Sequence, residues 1–440
     1  MSKKKEAKKT DFSSYFEFYN NLLDSKIGKT LQLRKLSEKI VYEGAKNGVK
    51  AGAAATKVFQ TFGSGKAKRL EPKKAKDLFD LNYNEEQLMI QESIKQLADK
   101  IRIHAEKDDY NGKISEEILR EYNELQLAFM QIPEELGGIM KEKSTTTQMM
   151  MVETLAYGDL SQAFALFSAN SVINAIVQWG TDSQQQILLK DFVEDNAPKA
   201  SIAINEPTAL FSPQTLKTKA NKDGNQYIIT GEKNMVTFAE SAQYFLVAAQ
   251  TEGGKNQLFF IDRTADGVST SADVSMGLKT AELGKIVLDN VRIDESAMLG
   301  GSKGVNYQEF INYSKLGWCS LAVGCSQAVL DYVITYANDR YAFGEPISNR
   351  QAVAFMIADI KIELDSMRIL TQRAVARAEQ GLEFQKEAYL AHVLCSDKSM
   401  QIGTNGVQLL GGHGFIKDFP VERWYRDLRA VAICYNGLHL

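Results

Sequence analysis

The stretch RYAFGEPISNRQAVAFMIADI, at residues 340–360, says most about the fold of this chain. It contains an Arg, a Phe-Gly pair and a Gln, and the Gln leads directly into a run of regularly spaced apolar residues. Val353, Ile357 and Ile360 begin a stripe with spacings of three and four residues, which predicts a helix with one buried face. A helical domain is therefore predicted over residues 304–440, as in a helix bundle.

The middle of the chain has a different pattern, in which apolar and polar residues alternate and β-branched residues are common. Four stretches separated by Gly, Asp and Asn turns predict strands. They are residues 226–238, 243–250, 256–263 and 284–293. We therefore expect a small β domain, a barrel or sandwich, over residues 201–303.

Another helical region is predicted before this β domain, over residues 79–200. Asn84 and Gln87 have the spacing of a capping box, which marks the start of a helix. The stretch from Thr145 to Trp179 is apolar and long enough for two buried helices. Because helices and strands are segregated along the chain, the predicted fold class is α+β.

The composition is that of a globular protein, since 44% of the 440 residues are hydrophobic and 24% are charged. The four cysteines are scattered and form neither a close pair nor a cluster with His. We therefore predict no metal site, and we expect reduced thiols that pack inside the fold. The body of the chain is acidic and has no nucleic-acid-binding motif, which argues against a nucleic-acid partner.

Residues 1–78 form a basic extension with 17 Lys and 2 Arg against 8 acidic residues, a net charge of about +11. Because the whole chain has a net charge of −3, residues 79–440 carry about −14. Two interpretations stay open: the extension binds an anionic membrane or an acidic partner, or it is a solvated arm. The extension lacks the apolar region of a secretory signal. We expect a cytoplasmic protein, with peripheral association with the inner membrane as a further expectation.

Other stretches occur in a recognisable order around residues 340–360. They are IPEELGG (132–138), AINEPTALFSP (203–213), QYIITGEKNMVTFAESAQYFLVAAQ (226–250) and QLLGGHGFIKDFPVERWYRD (408–427). Together they resemble the acyl-CoA dehydrogenase family over about residues 79–440. The resemblance implies an N-terminal helical domain, a middle β domain and a C-terminal four-helix bundle. It also implies FAD between the β domain and the bundle, shared with a second subunit. The expected assembly is a homodimer or homotetramer, or a mixed oligomer with a paralogue.

The same resemblance implies contacts to FAD. Arg340 and Phe343 would reach the FAD of a neighbouring subunit, the Arg as a planar fork on the pyrophosphate and the Phe as a ring packed on the cofactor. Thr237 would donate a hydrogen bond to the flavin ring. The full predicted set of cofactor-binding residues is Asn205, Ser212, Met235, Thr237, Arg340, Phe343, Gln351, Gln408, Gly411 and Gly412.

The family's catalytic Glu has no counterpart at either of its usual positions. The chemistry requires a carboxylate that removes the α-proton of an acyl thioester while the flavin takes the β-hydride. The turn that carries this Glu in most members holds Tyr435 or, with a one-residue gap, Asn436. The helix position used by other members holds Ser314. Lys315, which replaces a usual Arg, is the predicted substrate contact.

The flavin strand departs from the family pattern too, since Asn205 replaces a usual Thr and Met235 replaces a usual Trp. By residue type alone, the candidates for a replacement base are Glu206, Glu309, His413 and His439. We expect His439, next to the end of the sequence, to be frayed.

Three functions therefore stay open. The first is FAD-dependent α,β-dehydrogenation of an acyl thioester, of the fatty-acid oxidation type, with electrons passed to an electron-transfer flavoprotein. The second is a catalytically degenerate FAD-binding or scaffold paralogue that acts as a partner subunit. The third is a flavin monooxygenase on the same fold.

Overall fold

The first helical region begins where its capping box predicts. The computed structural model describes residues 79, 82–127, 129–193 and 197–440, so the predicted basic extension lies outside the described residues. Asn84 and Gln87 each accept a hydrogen bond from the other's backbone N–H, at 2.8 and 3.0 Å. The α-helices of this region are α1 (Glu85–Asn111), α2 (Glu116–Glu124), α3 (Thr145–Gly158), α4 (Leu160–Leu166), α5 (Ser168–Trp179) and α6 (Asp182–Leu188).

The stretch from Thr145 to Trp179 forms three helices, so the prediction of two is wrong. The first break is at Asp159, whose Oδ1 accepts a hydrogen bond from the backbone N–H of Gln162 at 3.0 Å and so caps a new helix. The second break is at Phe167, between α4 and α5. Both breaks lie in a stretch that is buried on nearly every side, where the period of the pattern does not reveal them.

The middle domain is one seven-stranded sheet. Its strands are β1 (Ala200–Ala203), β2 (Lys219–Asp223), β3 (Gln226–Val236), β4 (Tyr244–Thr251), β5 (Asn256–Asp262), β6 (Val268–Ala272) and β7 (Gly284–Asp294). The hydrogen-bonded order is β1-β4-β2-β3-β7-β6, and β5 pairs with β4 in addition, outside this order. The four predicted strands correspond to β3, β4, β5 and β7, which confirms the β domain. The other three strands have only four or five residues and give too short a pattern to be recognised.

The last domain is a bundle built around α7 (Tyr307–Asp339). It also contains a short hairpin, β8 (Tyr341–Ala342) with β9 (Glu345–Pro346), and the helices α8 (Gln351–Glu379), α9 (Gln385–Leu410) and α10 (Val421–Leu428). Helix α7 packs against α3, α8 and α9. By length and composition α7 could cross a membrane, as could the bent pair α4–α5, but 78% of the apolar window of α7 is buried inside the protein. The helix thus has the surroundings of a core helix.

Helix α10 is fixed to the rest of the chain by buried charges. Arg426 forms a two-pronged ion pair with Asp109 of α1, at 3.1 and 2.9 Å. Arg423 pairs with Asp159 at 3.0 Å, and Asp427 accepts a hydrogen bond from the backbone N–H of Leu278 at 2.7 Å. The Arg-Asp pair of the sequence motif therefore holds domains together, and neither residue faces the cleft described below.

Asp427 makes stability depend on pH. Burial, with the neighbouring Asp159 carboxylate, raises the pKa of Asp427 from 3.8 to about 8. Between these two values the folded state holds a proton that the unfolded state releases, so stability falls as the pH rises. We expect the free energy of unfolding of the wild type, relative to D427N, to fall by on the order of 1 kcal/mol per pH unit between roughly pH 5 and roughly pH 8.

Chemical denaturation at several pH values measures this difference. D223N is the matched control, because Asp223 forms an exposed ion pair with Arg292 on the sheet. Parallel pH profiles for the wild type and D427N would contradict the prediction.

Candidate functional site

Three segments far apart in sequence meet between the sheet and the bundle. They are the loop after β1 (residues 204–207), the end of β3 (residues 234–237) and residues 433–440, which we call the closing segment. Each contains residues predicted to belong to the site. The structure therefore brings Asn205 together with Asn436, although 230 residues separate them.

Asn436 joins these segments through its side-chain amide, which is completely buried. Its Oδ1 accepts hydrogen bonds from the backbone N–H groups of Ile204 (2.5 Å) and Asn205 (2.7 Å). Its Nδ2 donates to the carbonyls of Asn234 (2.6 Å) and Met235 (3.0 Å). The carboxamide thus uses both donor hydrogens and both acceptor positions on the sheet.

The side chain of Asn205 makes two hydrogen bonds to the backbone of the closing segment. Its Oδ1 accepts from the backbone N–H of Tyr435 (2.8 Å), and its Nδ2 donates to the carbonyl of Ile433 (2.9 Å). From the bundle, Ser314 donates to the carbonyl of Tyr435 at 2.8 Å. The two positions where the family keeps its Glu are therefore in direct contact, and each helps to fix the closing segment.

The rest of the closing segment is packed into the core. Gly437 has φ of 78°, and a Cβ added there would lie 2.6 Å from the ring of Phe164, so only Gly fits. The side chain of Leu438 is buried against Gly317 of α7. These contacts leave the segment no freedom to act as a loose end.

His439 is buried, so the expectation of a frayed residue is wrong. Its ring lies 4.8 Å from Trp179, 4.8 Å from Tyr313 and 5.5 Å from Phe310, measured between ring centroids. Its carbonyl accepts a hydrogen bond from Asn174 Nδ2 at 2.8 Å. Burial, reinforced by the Lys143 cation, holds the pKa of His439 well below its usual value. This imidazole is neutral, and neither ring nitrogen has a hydrogen-bond partner among the described residues.

The residues at the end of β3 that were predicted to contact the flavin ring are hydrogen-bonded to other residues of the chain. Thr237 is buried, and its hydroxyl lies 2.9 Å from Ser168 Oγ and 3.1 Å from Ser201 Oγ. Met235 has φ of 54°, an uncommon conformation for a non-glycine residue. Its backbone N–H donates to Asp273 at 3.2 Å. The hydroxyl of the exposed Ser212 accepts a long contact of 3.4 Å from the backbone N–H of Gln214, two residues further along.

The remaining predicted cofactor residues lie on the surface of the bundle. Phe343 has 98% of its surface exposed and has φ of 56°. Exposed with it are Arg340, Gln351, Gln408, Gly411 and Gly412. The end of α7 and the Gly411–Phe415 turn are adjacent, because Tyr336, one turn before Arg340, bonds to His413 Nδ1 at 2.7 Å. A Cβ added at Gly411 or Gly412 would meet nothing within 4 Å, so this face is open to a ligand or a partner.

Three of the four candidate bases, Glu206, Glu309 and His413, have hydrogen-bond or ion-pair partners. Glu206 forms a buried ion pair with Lys233 at 2.9 Å, and the charge and hydrogen bonds around it outweigh burial and lower its pKa. Glu309 accepts hydrogen bonds from Gln178 (3.2 Å) and Asn306 (3.0 Å). None of these three is a free carboxylate or imidazole, and the fourth candidate, His439, is enclosed by aromatic rings.

His413 and Lys315 both lie beside aromatic rings. The His413 ring stacks on Phe419 with centroids 4.6 Å apart. Lys315 is half-buried on α7, 5.6 Å from the Tyr389 ring, and burial lowers its pKa. Among the described residues, no group of three or more His, Cys, Asp or Glu side chains could hold a metal ion.

FAD fits the described residues at one end only. The outer face with Arg340, Phe343 and Gly411 is open, as the phosphate and adenosine end of the cofactor would need. At the ring end, the backbone groups that could bind the flavin are bonded to Asn436. A pocket of about 570 Å³ is lined by Asn205 and Tyr435 but not by the buried Asn436. In this conformation those four backbone groups are not free to bind a flavin ring.

Comparison with known proteins agrees with the fold. Models of the N-terminal, middle and C-terminal domains of acyl-CoA dehydrogenase match residues 84–196, 201–291 and 303–437. A probable acyl-CoA dehydrogenase of Bacillus subtilis, YngJ, is 31% identical over 366 residues, which cover 80% of this chain and 95% of the relative.

Solved structures are similar over the same region. Butyryl-CoA dehydrogenase from Megasphaera elsdenii superimposes with a TM-score of 0.74 at 25% identity, over 81% of this chain and 96% of that one. A glutaryl-CoA dehydrogenase from Mycobacterium smegmatis in complex with FADH2 has a TM-score of 0.72 at 20% identity, over 80% and 91% of the two chains. Members of this family use FAD. This chain belongs to the acyl-CoA dehydrogenase family, and its function at the level of that family is acyl-CoA dehydrogenase-like.

Proposed function

We propose that this chain takes part in the α,β-dehydrogenation of acyl thioesters as a partner subunit. In this role it presents Arg340, Phe343 and the Gly411–Gly412 turn to an FAD bound mainly by a neighbouring acyl-CoA dehydrogenase subunit. That subunit supplies the catalytic carboxylate and passes electrons to an electron-transfer flavoprotein.

One contrast carries the proposal. The side chains of Phe343 and Arg340, which the family resemblance directs at a neighbouring subunit's FAD, are exposed. The Phe343 ring contacts the Arg350 guanidinium, 5.7 Å from its centre, and otherwise faces outward. The positions of the catalytic carboxylate hold Ser314, Tyr435 and Asn436, which hydrogen-bond to the chain itself. The surface that would serve a neighbour's FAD is therefore available, while the backbone groups at this chain's own ring end are bonded to Asn436.

A second candidate is dehydrogenation by this chain itself, which the 31% identity to a probable acyl-CoA dehydrogenase over 95% of its length favours. It requires the closing segment to leave the cleft and another residue to act as base. Glu206 would have to leave its ion pair with Lys233, since that carboxylate also accepts the N–H groups of Lys217 (2.7 Å) and Thr218 (3.0 Å). The partner role needs neither rearrangement, and no described residue favours the third function, oxygen-using chemistry.

The two candidates differ in what the purified chain does alone. We expect it to show no flavin band that bleaches during an anaerobic titration with acyl-CoAs of different lengths. Co-expression with an acyl-CoA dehydrogenase subunit from the same organism that retains the catalytic Glu should give a mixed oligomer that does bleach. Bleaching by the chain alone, or failure of every such subunit to assemble with it, would rule out the partner role.

The mixed oligomer also tests the residues. Replacing Arg340 with Ala removes a charge-assisted contact to phosphate oxygens, so we expect at least about a tenfold loss of FAD affinity, about 1.4 kcal/mol. The matched control is R292A, because Arg292 is an exposed Arg on the sheet that pairs with Asp223. FAD titration of the two variants measures the difference, and equal affinities would argue against a contact from Arg340.

For the location of the protein, we propose the cytoplasm, with residues 1–78 binding an anionic membrane surface. The charge of about +11 on these residues supports this, because basic segments are attracted to acidic lipid head groups. Residues 1–78 lie outside the described residues, so the proposal rests on composition.

Liposome sedimentation tests the membrane proposal. The intact chain should sediment with phosphatidylserine–phosphatidylcholine vesicles and not with pure phosphatidylcholine vesicles, and binding should weaken as salt is added. Deletion of residues 1–78 should abolish the binding. Unchanged binding after the deletion, or no binding by the intact chain, would contradict it.

A further inference from the structure

We infer that the Asn436 carboxamide is a built-in occupant of the cofactor-ring site, so that the closing segment and a flavin ring exclude each other in this chain. The inference goes beyond the proposed function, because it concerns the chain's own cleft. It holds whether or not the chain serves a neighbouring subunit.

The backbone groups around Asn436 define what the cleft recognises. Two N–H groups, of Ile204 and Asn205, and two carbonyls, of Asn234 and Met235, converge on one planar amide. A ligand that matches this arrangement must be flat and must carry a carbonyl oxygen next to an N–H group. The pyrimidine edge of a flavin has a carbonyl oxygen next to an N–H group, with one donor hydrogen where the amide has two. The Asn436 side chain presents the same pair of functions, and it satisfies groups that would otherwise be buried without partners.

The chain has the residues that hold this occupant in place. Asn205 binds the backbone on both sides of Cys434, through the N–H of Tyr435 and the carbonyl of Ile433. On the bundle side, Trp318 Nε1 donates to the carbonyl of Asn436 at 3.3 Å. The closing segment is thus held from the sheet and from the bundle at the same point of the cleft.

The same segment fills the space beyond the ring site. Leu438 and His439 are buried, the latter among the rings of Trp179, Phe310 and Tyr313. The imidazole makes no hydrogen bond with the described residues, so it contributes volume and not polar anchoring. The polar anchor of the segment is Asn436, which makes that residue the place to test the inference.

Opening the cleft should reveal a flavin site. The apparent affinity of a ligand falls in proportion to the fraction of molecules whose site is open. In N436A the four backbone groups lose their partner and the closed state loses its anchor. We therefore expect N436A to bind FAD at least about tenfold more tightly than the wild type, in a titration followed by flavin fluorescence and by retention on gel filtration.

The matched control is N170A. Asn170 is also a buried Asn whose Oδ1 accepts a hydrogen bond, from the Tyr122 hydroxyl at 2.8 Å, but it lies outside the ring site. A gain of FAD binding in N170A would mean general loosening and would overturn the inference. It would also be overturned if the wild type bound FAD as tightly as N436A, or if folded N436A gained no affinity.

A measurement on the wild type covers the case in which N436A does not fold. Hydrogen exchange of the Ile204 and Asn205 amides should be slow without cofactor and should not change when FAD is added. Added protection in the presence of FAD would overturn the inference. Neither experiment needs a partner subunit, so failure here is distinguishable from failure of the mixed oligomer to assemble.

Discussion

The amide of Asn436 and the four backbone groups that it binds decide the state of the whole cleft. Backbone N–H and carbonyl groups that are buried without partners cost free energy, about 1–3 kcal/mol each. The loop after β1 and the end of β3 both direct such groups at the cleft. Something must bind them, either a ligand or the chain itself. Because this chain supplies its own amide, the sheet and the bundle close on each other through residues 433–440.

This requirement favours an amide over a carboxylate at position 436, which takes the place of the family's Glu when the sequences are matched with a one-residue gap. A carboxylate accepts hydrogen bonds but donates none. At position 436 it could take the N–H groups of Ile204 and Asn205, yet its second oxygen would face the carbonyls of Asn234 and Met235 and repel them. Only an amide satisfies both pairs. An Asn at position 436 thus suits pairing with the sheet, and the Asn at position 205 adds contacts to the same segment from the other side.

The sequence predicts most of the fold because the fold depends on local patterns. The capping box at Asn84 and the four longer strands are each visible in one short window. The site is different, since the hydrogen bonds of Asn436 join residues that are 118 to 232 positions apart. The sequence shows that Asn205 and Asn436 both depart from the family pattern. It does not show that Asn436 Oδ1 accepts the N–H of Asn205 while the Asn205 side chain binds the backbone of Ile433 and Tyr435.

Thr237 shows that a residue that matches the family pattern can also have contacts that the sequence does not reveal. Its place in the motif matches the family, and the prediction of a flavin contact follows from that match. The orientation of its hydroxyl depends on Ser168 of α5 and Ser201 of β1, which come from other parts of the chain. His439 could not be placed from the sequence either, because burial depends on the aromatic residues of α5 and α7 that surround it.

The two ends of the predicted cofactor site depend on different parts of the fold, and so they can change independently. The ring end is built from sheet loops and the closing segment, where Asn205, Met235 and Asn436 all depart from the family pattern. The outer end is built from the termini of helices α7 and α9, where Arg340, Phe343 and Gly411 keep it. Closing the cleft requires no change at Arg340, Phe343 or Gly411. The hydrogen bonds of Asn436 are made with the sheet loops and with Trp318. A subunit can therefore lose its own ring site and still present an intact surface to the cofactor of another.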